Sequence, residues 1–105
     1  MDEYTAKFAP GQMVNHRLFG YRGVVYDVDA QFDGSDQWNQ ISAKLIPPRD
    51  RPWYRILVDG SDSETYVAER NLELDDSGEP IRHPDLGVHF FELRGNVYIS
   101  YKPAN

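Results

Sequence analysis

Three histidines, His16, His83 and His89, are the residues most able to do chemistry in this sequence, which contains no cysteine. Histidines that bind zinc together usually recur at short spacings such as H-x-x-x-H, and these three do not. Nucleophilic catalysis needs a Ser, Cys or Thr beside an oriented base, but no serine here lies in a G-x-S-x-G turn. We therefore predict no catalytic residue, no metal ligand and no cofactor, and we expect a protein that is not an enzyme.

Phosphate binding and acid–base catalysis are also poorly supported by the sequence. The segment from Gly20 to Gly23 lacks the glycine content and the following helix of a phosphate-binding loop. The acidic residues concentrate in three turn-like segments, 27–36, 59–64 and 69–79, where Asp and Glu usually serve as solvated groups and turn formers. No pair of carboxylates is singled out as a general acid and base.

Binding is better supported, because residues 16–22, HRLFGYR, combine apolar, aromatic and basic side chains in a short turn. If exposed, such a set could stack on bases and pair with phosphates, or it could anchor a protein interface. The alternative is that Phe19 and Tyr21 only cap a small core. A second loop, which contains Arg49, Arg51 and Arg55, is also rich in arginine. The candidate surface for a partner or for DNA consists of His16, Arg17, Leu18, Phe19, Tyr21, Arg22, Arg49, Arg51 and Arg55.

The charge of the chain opposes non-specific binding to nucleic acid. Seventeen acidic residues against eleven Lys and Arg give a net charge of −6, whereas such binding depends on cations that displace counterions from phosphate. Because charge distribution matters more than the total charge, the sequence is also compatible with one basic edge on an otherwise acidic protein. An evenly mixed, solvated surface is the alternative.

Length and composition indicate one folded domain in a reducing compartment. A chain of 105 residues with 40% hydrophobic residues is too apolar to be disordered. The absence of cysteine fits the cytoplasm. No apolar run approaches the roughly 20 residues that cross a bilayer, and the polar N-terminus is unlike a signal peptide. We expect a cytoplasmic protein without a membrane partner.

The hydrophobic pattern predicts short strands separated by tight turns. Strands are expected over 11–17, 22–29, 52–60 and 64–69, followed by a single helical or 3₁₀ turn over 70–74. Alternation places Val24, Tyr26 and Val28 on one face of the second strand. Apolar residues on both faces make the third strand central. The predicted core consists of Val24, Tyr26, Val28, Ile56, Val58, Val67 and Leu72.

Two regions leave alternatives. The insert over residues 30–52 contains a candidate short helix at 35–45, with Ser35 as N-cap and Pro47-Pro48 after it. This insert is interpreted as a functional loop or as a lid whose Trp38 closes one end of the fold, and the two interpretations are compatible. Near the C-terminus, a short helix from Pro84-Asp85 to about Phe91 competes with a hairpin over 89–101. The fold class is mainly β, a small SH3-like β-barrel with a variable C-terminal tail.

Three ordered blocks, HRLFGYRGVV (16–25), PWY (52–54) and YVAERNL (66–72), resemble the HspQ/YccV-like family of hemimethylated-DNA-binding domains. The resemblance covers residues 5–84. Residues 1–4 are then an N-terminal tail, and residues 85–105 are a C-terminal extension that matches least well.

The resemblance implies an SH3-like barrel, no enzyme activity and a homotrimer. It also implies two functions. One is that of a heat-shock accessory protein that enhances the specificity of Lon protease for its protein substrates, such as denatured proteins or a replication initiator. The other is binding to hemimethylated DNA near the replication origin. The net charge of −6 favours the Lon adaptor, and DNA binding is the alternative.

Overall fold

The computed structural model describes residues 5–32 and 51–101. Over these residues the chain forms β1 (Met13–His16), β2 (Arg22–Asp29), β3 (Trp53–Val58), β4 (Glu64–Ala68), β5 (Leu72–Leu74), β6 (Phe90–Arg94) and β7 (Val97–Ser100). A 3₁₀ turn, Glu69–Asn71, joins β4 to β5, and a one-turn helix, α1 (Leu86–His89), precedes β6. The prediction of a mainly β fold is confirmed. The helix predicted at 35–45, and Trp38 with it, lie outside the described residues.

The first five strands form one antiparallel sheet in the order β4-β3-β2-β1-β5. Chain neighbours pair from β1 to β4, and β5 returns to the free edge of β1. Within residues 5–32 and 51–101, no ladder joins β4 to β5, so the sheet is not closed into the expected barrel. The 3₁₀ turn carries the chain across this opening, which is where the candidate site lies.

Strand β3, which lies inside the sheet between β4 and β2, is buried on both faces, as its sequence predicted. Tyr54 and Ile56 belong to one core cluster, together with Phe8, Val14, Val25, Val67 and Leu72. Leu57 points to the opposite face and belongs to a second cluster with Met13, Val24, Ile81, Phe90 and Tyr98. The sheet therefore separates two hydrophobic layers, as happens when both faces of a strand are covered.

A β-bulge in β2 overturns the predicted alternation of its side chains. Val25 pairs with Ile56, and the next pair is Asp27 with Arg55, so Tyr26 is an extra residue. Such a bulge shifts the alternation of the strand. Val24 and Tyr26 consequently contact the second cluster, whereas Val28 packs against the first. The prediction that all three share one face was wrong.

Four of the seven predicted core residues are fully buried: Val24, Ile56, Val67 and Leu72. Tyr26 and Val28 are partly buried against the clusters, and Val58 is partly exposed in neither cluster. The largest of the fully buried side chains, Trp53, Tyr54 and Met13, were missing from the predicted core.

The C-terminal segment covers the second core cluster. Both alternatives for this segment occur in part, because α1 ends at His89 and the β6–β7 hairpin follows it. The Tyr98 hydroxyl accepts a 2.8 Å hydrogen bond from the Ile81 N–H. The Tyr98 N–H donates to the Gly11 carbonyl at 2.8 Å. Gly11 has a φ of 99° and a Cβ there would collide with the Tyr98 carbonyl, so this close approach requires glycine.

Candidate functional site: an apolar groove beside the β1–β2 turn

The turn between β1 and β2 displays two large apolar side chains to solvent. Leu18 is 72% exposed and Phe19 is 77% exposed. Gly20, with a φ of 77°, allows the chain to reverse, and its N–H donates to the His16 carbonyl at 2.8 Å. A contiguous exposed apolar patch of this kind is typical of a binding surface. The alternative that Phe19 only caps the core does not fit its exposure.

His16 holds this turn in place. Its side chain is buried, and its Nδ1 atom accepts hydrogen bonds from the backbone N–H groups of Leu18 and Phe19, both at 3.1 Å. The imidazole also stacks on the Phe19 ring, with 4.6 Å between centroids. Burial lowers the pKa of His16 below its usual value, because the charged form is poorly solvated. The geometry agrees, since an Nδ1 atom that accepts two N–H groups must carry no proton.

A groove of about 400 Å³ runs between this turn and the edge strand β4. It occupies the opening that an SH3-like barrel would close. The Tyr21 hydroxyl and the Thr65 Oγ1 atom, 2.9 Å apart, bridge the groove. The Arg17 N–H donates to the Asn71 carbonyl at 2.7 Å and closes one end. The lining residues are His16, Leu18, Phe19, Tyr21, Trp53, Thr65, Tyr66, Val67, Ala68 and Asn71.

The structure therefore brings four of the predicted surface residues together at one groove, namely His16, Leu18, Phe19 and Tyr21. Sequence reasoning missed the opposite wall, which β3, β4 and the 3₁₀ turn supply. The aromatic residues Trp53 and Tyr66 were visible in the PWY and ETY segments. They were assigned only to strands, because nothing in the sequence indicates that the edge of β4 faces the β1–β2 turn.

Arg22, in contrast, belongs to an ionic network away from the groove. Its guanidinium donates to Asp75 at 2.8 Å, to Asp59 at 3.0 Å and to the Glu79 carbonyl at 2.5 Å. Burial alone raises the pKa of Asp75, but hydrogen bonds from Arg22 and Ser77 outweigh it and hold this pKa below its usual value. Arg22 ties loop 75–79 to β2 and cannot contact a phosphate without giving up these bonds.

The other arginines of the predicted surface do not form one basic cluster with the groove. Arg55 donates to Asp29 at 3.1 Å and its guanidinium lies 4.5 Å from the centre of the Tyr66 ring, behind the groove wall. Arg17 and Arg51 are exposed, and Arg49 lies outside the described residues. Two of the predicted arginines, Arg22 and Arg55, are thus already paired with carboxylates.

In the described part of the chain, no group of three or more His, Cys, Asp or Glu side chains is arranged to hold a metal ion. Over that part, no helix has the length and apolar character needed to span a bilayer.

Comparison with known families identifies the family of this chain. Residues 6–97 match the family described as "Hemimethylated DNA-binding protein YccV like". The chain belongs to this family. The match extends past β5 and through most of the C-terminal hairpin, which agrees with the packing of Phe90 and Tyr98 in the second core cluster.

Curated relatives include F-box only protein 21 from Homo sapiens, Mus musculus and Pongo abelii. Each is 32% identical over 94 residues, a stretch that covers 88% of this chain but 15% of the relative. The chain thus spans about one-seventh of the length of these proteins and corresponds to one portion of them.

Proposed function

We propose that this YccV-like protein is a non-enzymatic accessory that binds other proteins through the groove beside the β1–β2 turn. The observation that carries the proposal is the display of Leu18 and Phe19 in solvent by a turn that His16 holds in place. Keeping large apolar side chains in water forgoes the burial energy they would otherwise contribute, roughly 1.5–3 kcal/mol for each. A partner that covers them recovers this energy.

The anatomy of the groove supports a protein partner. An apolar centre of aromatic side chains with polar and cationic residues at the rim is the usual composition of a protein interface. The volume of about 400 Å³ lies in the range of sites that hold small ligands or a few side chains. The pairing of Arg22 and Arg55 with carboxylates leaves fewer cations for phosphate.

The partner in this proposal is Lon protease, with its protein substrates, during heat-shock and other stress responses in the cytoplasm. This choice follows from the resemblance to the HspQ/YccV-like family. A homotrimer would present three such grooves, and several weak contacts on one assembly gain from effective concentration. The accessory would then raise the local concentration of a substrate at the protease without any chemistry of its own.

Degradation of an unfolded substrate by purified Lon, with and without the full chain, tests this function. We expect wild type to accelerate degradation and Phe19→Ala to lose most of the acceleration. Phe91→Ala is the matched control, because Phe91 is also exposed but lies on β6, outside the groove. A wild-type protein that leaves the rate unchanged would refute the Lon role. Equal loss in both variants would refute the choice of surface.

A second candidate function is recognition of hemimethylated DNA, which the description of the matched family favours. Reading a methyl group requires contacts in the major groove of DNA. The residues for phosphate contact would be Arg17 and Arg51, which are exposed, together with Arg49.

Binding of fluorescent duplexes with no, one or two methylated strands tests this second function. Specific recognition predicts tighter binding of the hemimethylated duplex than of the other two. Binding should also weaken as salt increases from about 50 mM to about 200 mM, because phosphate contacts release counterions. Arg17→Ala should weaken binding to all three duplexes. Equal affinity for all duplexes would refute methylation reading and leave a generic electrostatic contact.

A further inference from the structure

We propose that the groove beside the β1–β2 turn binds an extended acidic peptide segment that carries one or two large apolar side chains. This inference rests on the proposed function and specifies the chemistry of the partner. It is independent of which protein supplies the segment.

The side walls of the groove favour apolar side chains in the bound segment. Leu18 and Phe19 form one side, and the aromatic side chains of Trp53 and Tyr66 contribute to the other. The Tyr21 and Thr65 hydroxyl groups, which belong to two of the lining residues, already bond to each other. The centre of the groove therefore offers contact area and few unsatisfied polar groups, which suits aliphatic or aromatic side chains.

The acidic part is selected by the electrostatics around the groove. The chain has a net charge of −6, yet none of the lining residues within 5–32 and 51–101 is acidic. Glu64 begins β4 and Glu69 follows it, but neither lines the groove, and each carboxylate accepts hydrogen bonds within the protein. The Glu64 carboxylate accepts a hydrogen bond from Tyr26 at 2.5 Å. The Glu69 carboxylate is buried and accepts hydrogen bonds from Tyr54 and from the Lys7 N–H.

Two arginines are next in sequence to residues that line the groove near Asn71: Arg17 lies between His16 and Leu18, and Arg70 precedes Asn71. The Arg17 N–H bonds to the Asn71 carbonyl at 2.7 Å, and Arg70 directly precedes Asn71 in the 3₁₀ turn. Both arginine side chains are exposed, and neither forms an ion pair with the residues that the structure describes. Two exposed cations whose chain neighbours line an apolar groove are complementary to a carboxylate beside the buried side chain of a ligand.

A nucleic acid fits this arrangement less well. Phosphate-driven binding needs several cations along a backbone, whereas Arg17 and Arg70 are only two cations. The remaining acidic surface would repel a polyanion at long range. A short peptide with a few carboxylates gains the local attraction and avoids most of that repulsion.

Fluorescence anisotropy with the full chain and four labelled probes tests the inference. Three peptides share a Leu-Phe centre flanked by Asp, by Gln or by Lys, and the fourth probe is a single-stranded oligonucleotide. We expect the Asp-flanked peptide to bind about 3–10-fold tighter than the Gln-flanked one, the range for two exposed ion pairs. The Lys-flanked peptide and the oligonucleotide should bind more weakly than either.

Matched variants separate this inference from the proposed function. Arg17→Gln with Arg70→Gln should abolish the preference for Asp over Gln without weakening the Gln-flanked peptide. Arg94→Gln with Arg82→Gln removes the same charge outside the groove and should keep the preference. Phe19→Ala should weaken all peptide binding.

Each other outcome overturns the inference. Equal binding of the three peptides that still depends on Phe19 would reject the acidic partner and keep the groove as a protein-binding site. Tighter binding of the Lys-flanked peptide or of the oligonucleotide would reject the partner chemistry. Absence of peptide binding would also reject it, and the Lon assay would then decide separately whether the proposed function fails.

Discussion

Replacing Arg22 by alanine is expected to destabilise the fold, although the sequence pattern assigned Arg22 to a binding surface. Its guanidinium forms charge-assisted hydrogen bonds to Asp75 and Asp59. The Asp75 side chain is 7% exposed and that of Asp59 is 22% exposed, so hydration compensates less for the lost arginine at Asp75 than at Asp59. Ser77 and Asn15 remain as donors to Asp75.

The magnitude follows from these two carboxylates. Removing one partner of a fully buried pair costs about 3–5 kcal/mol, and a hydrogen bond to a charged group contributes about 1.5–3 kcal/mol. Because the network is partly exposed and Asp75 keeps two donors, we expect a loss of about 2–3 kcal/mol. With a urea slope of about 1–3 kcal/mol/M, the midpoint should fall by about 1 M at unchanged slope.

Urea unfolding followed by tryptophan fluorescence near pH 7 measures this loss. Arg17→Ala is the matched control, since Arg17 is exposed and makes no ion pair with the described residues. Its free energy of unfolding should change by less than about 0.5 kcal/mol. If the two variants are equally stable, the structural role of Arg22 is refuted.

The ion pair between Arg22 and Asp75 also predicts that the stability of the fold depends on pH. The pKa of Asp75 in the folded state lies below its usual value of 3.8. A carboxyl with a lowered folded pKa contributes stability above its unfolded pKa, and this contribution is lost as pH falls through the folded pKa. The difference in free energy of unfolding between wild type and Arg22→Ala should therefore be largest near neutral pH and should become smaller below pH 3.8. A gap that is unchanged down to pH 2 would contradict this reasoning.

Three further predictions concern the core and the turn. Because burial lowers the pKa of His16, its contribution to stability is present above pH 6.5 and is lost as pH falls below that value. His16→Asn, which keeps an acceptor but does not titrate, should show a smaller drop in urea midpoint between pH 7 and pH 5. Gly23→Ala should cost about 1–3 kcal/mol in urea unfolding, since a Cβ there lies 2.6 Å from the Leu57 carbonyl and collides with Ile56. Tyr54→Phe removes a donor from the buried Glu69 carboxylate and should cost about 1.5–3 kcal/mol. Tyr26→Phe, whose partner Glu64 is exposed, should cost less than half as much.

Local sequence determined most of the secondary structure. The strands β1 to β4 and the turn at Leu18–Gly20 follow from alternation and from glycine placement, which are properties of a few neighbouring residues. The apolar composition of the turn also identified Leu18 and Phe19 as binding candidates, because apolar residues at a hairpin tip have few local partners. Local alternation did not predict the bulge at Tyr26. It depends on how β2 pairs with β3, whose partner residues lie about 30 positions away.

Tertiary structure alone decided which candidates share a site. Arg17 and Arg22 are five residues apart and look equivalent in sequence, but Asp59 and Asp75 approach only Arg22. The groove likewise needs the edge of β4 to face the β1–β2 turn. Two strands separate β4 from β1 in the sheet, and the short 3₁₀ turn from β4 to β5, which pairs with β1, brings residues 65–71 to residues 16–21. A sequence pattern reports the neighbours of a residue along the chain. Ion pairing and groove formation depend on neighbours in space, and here strand pairing sets them.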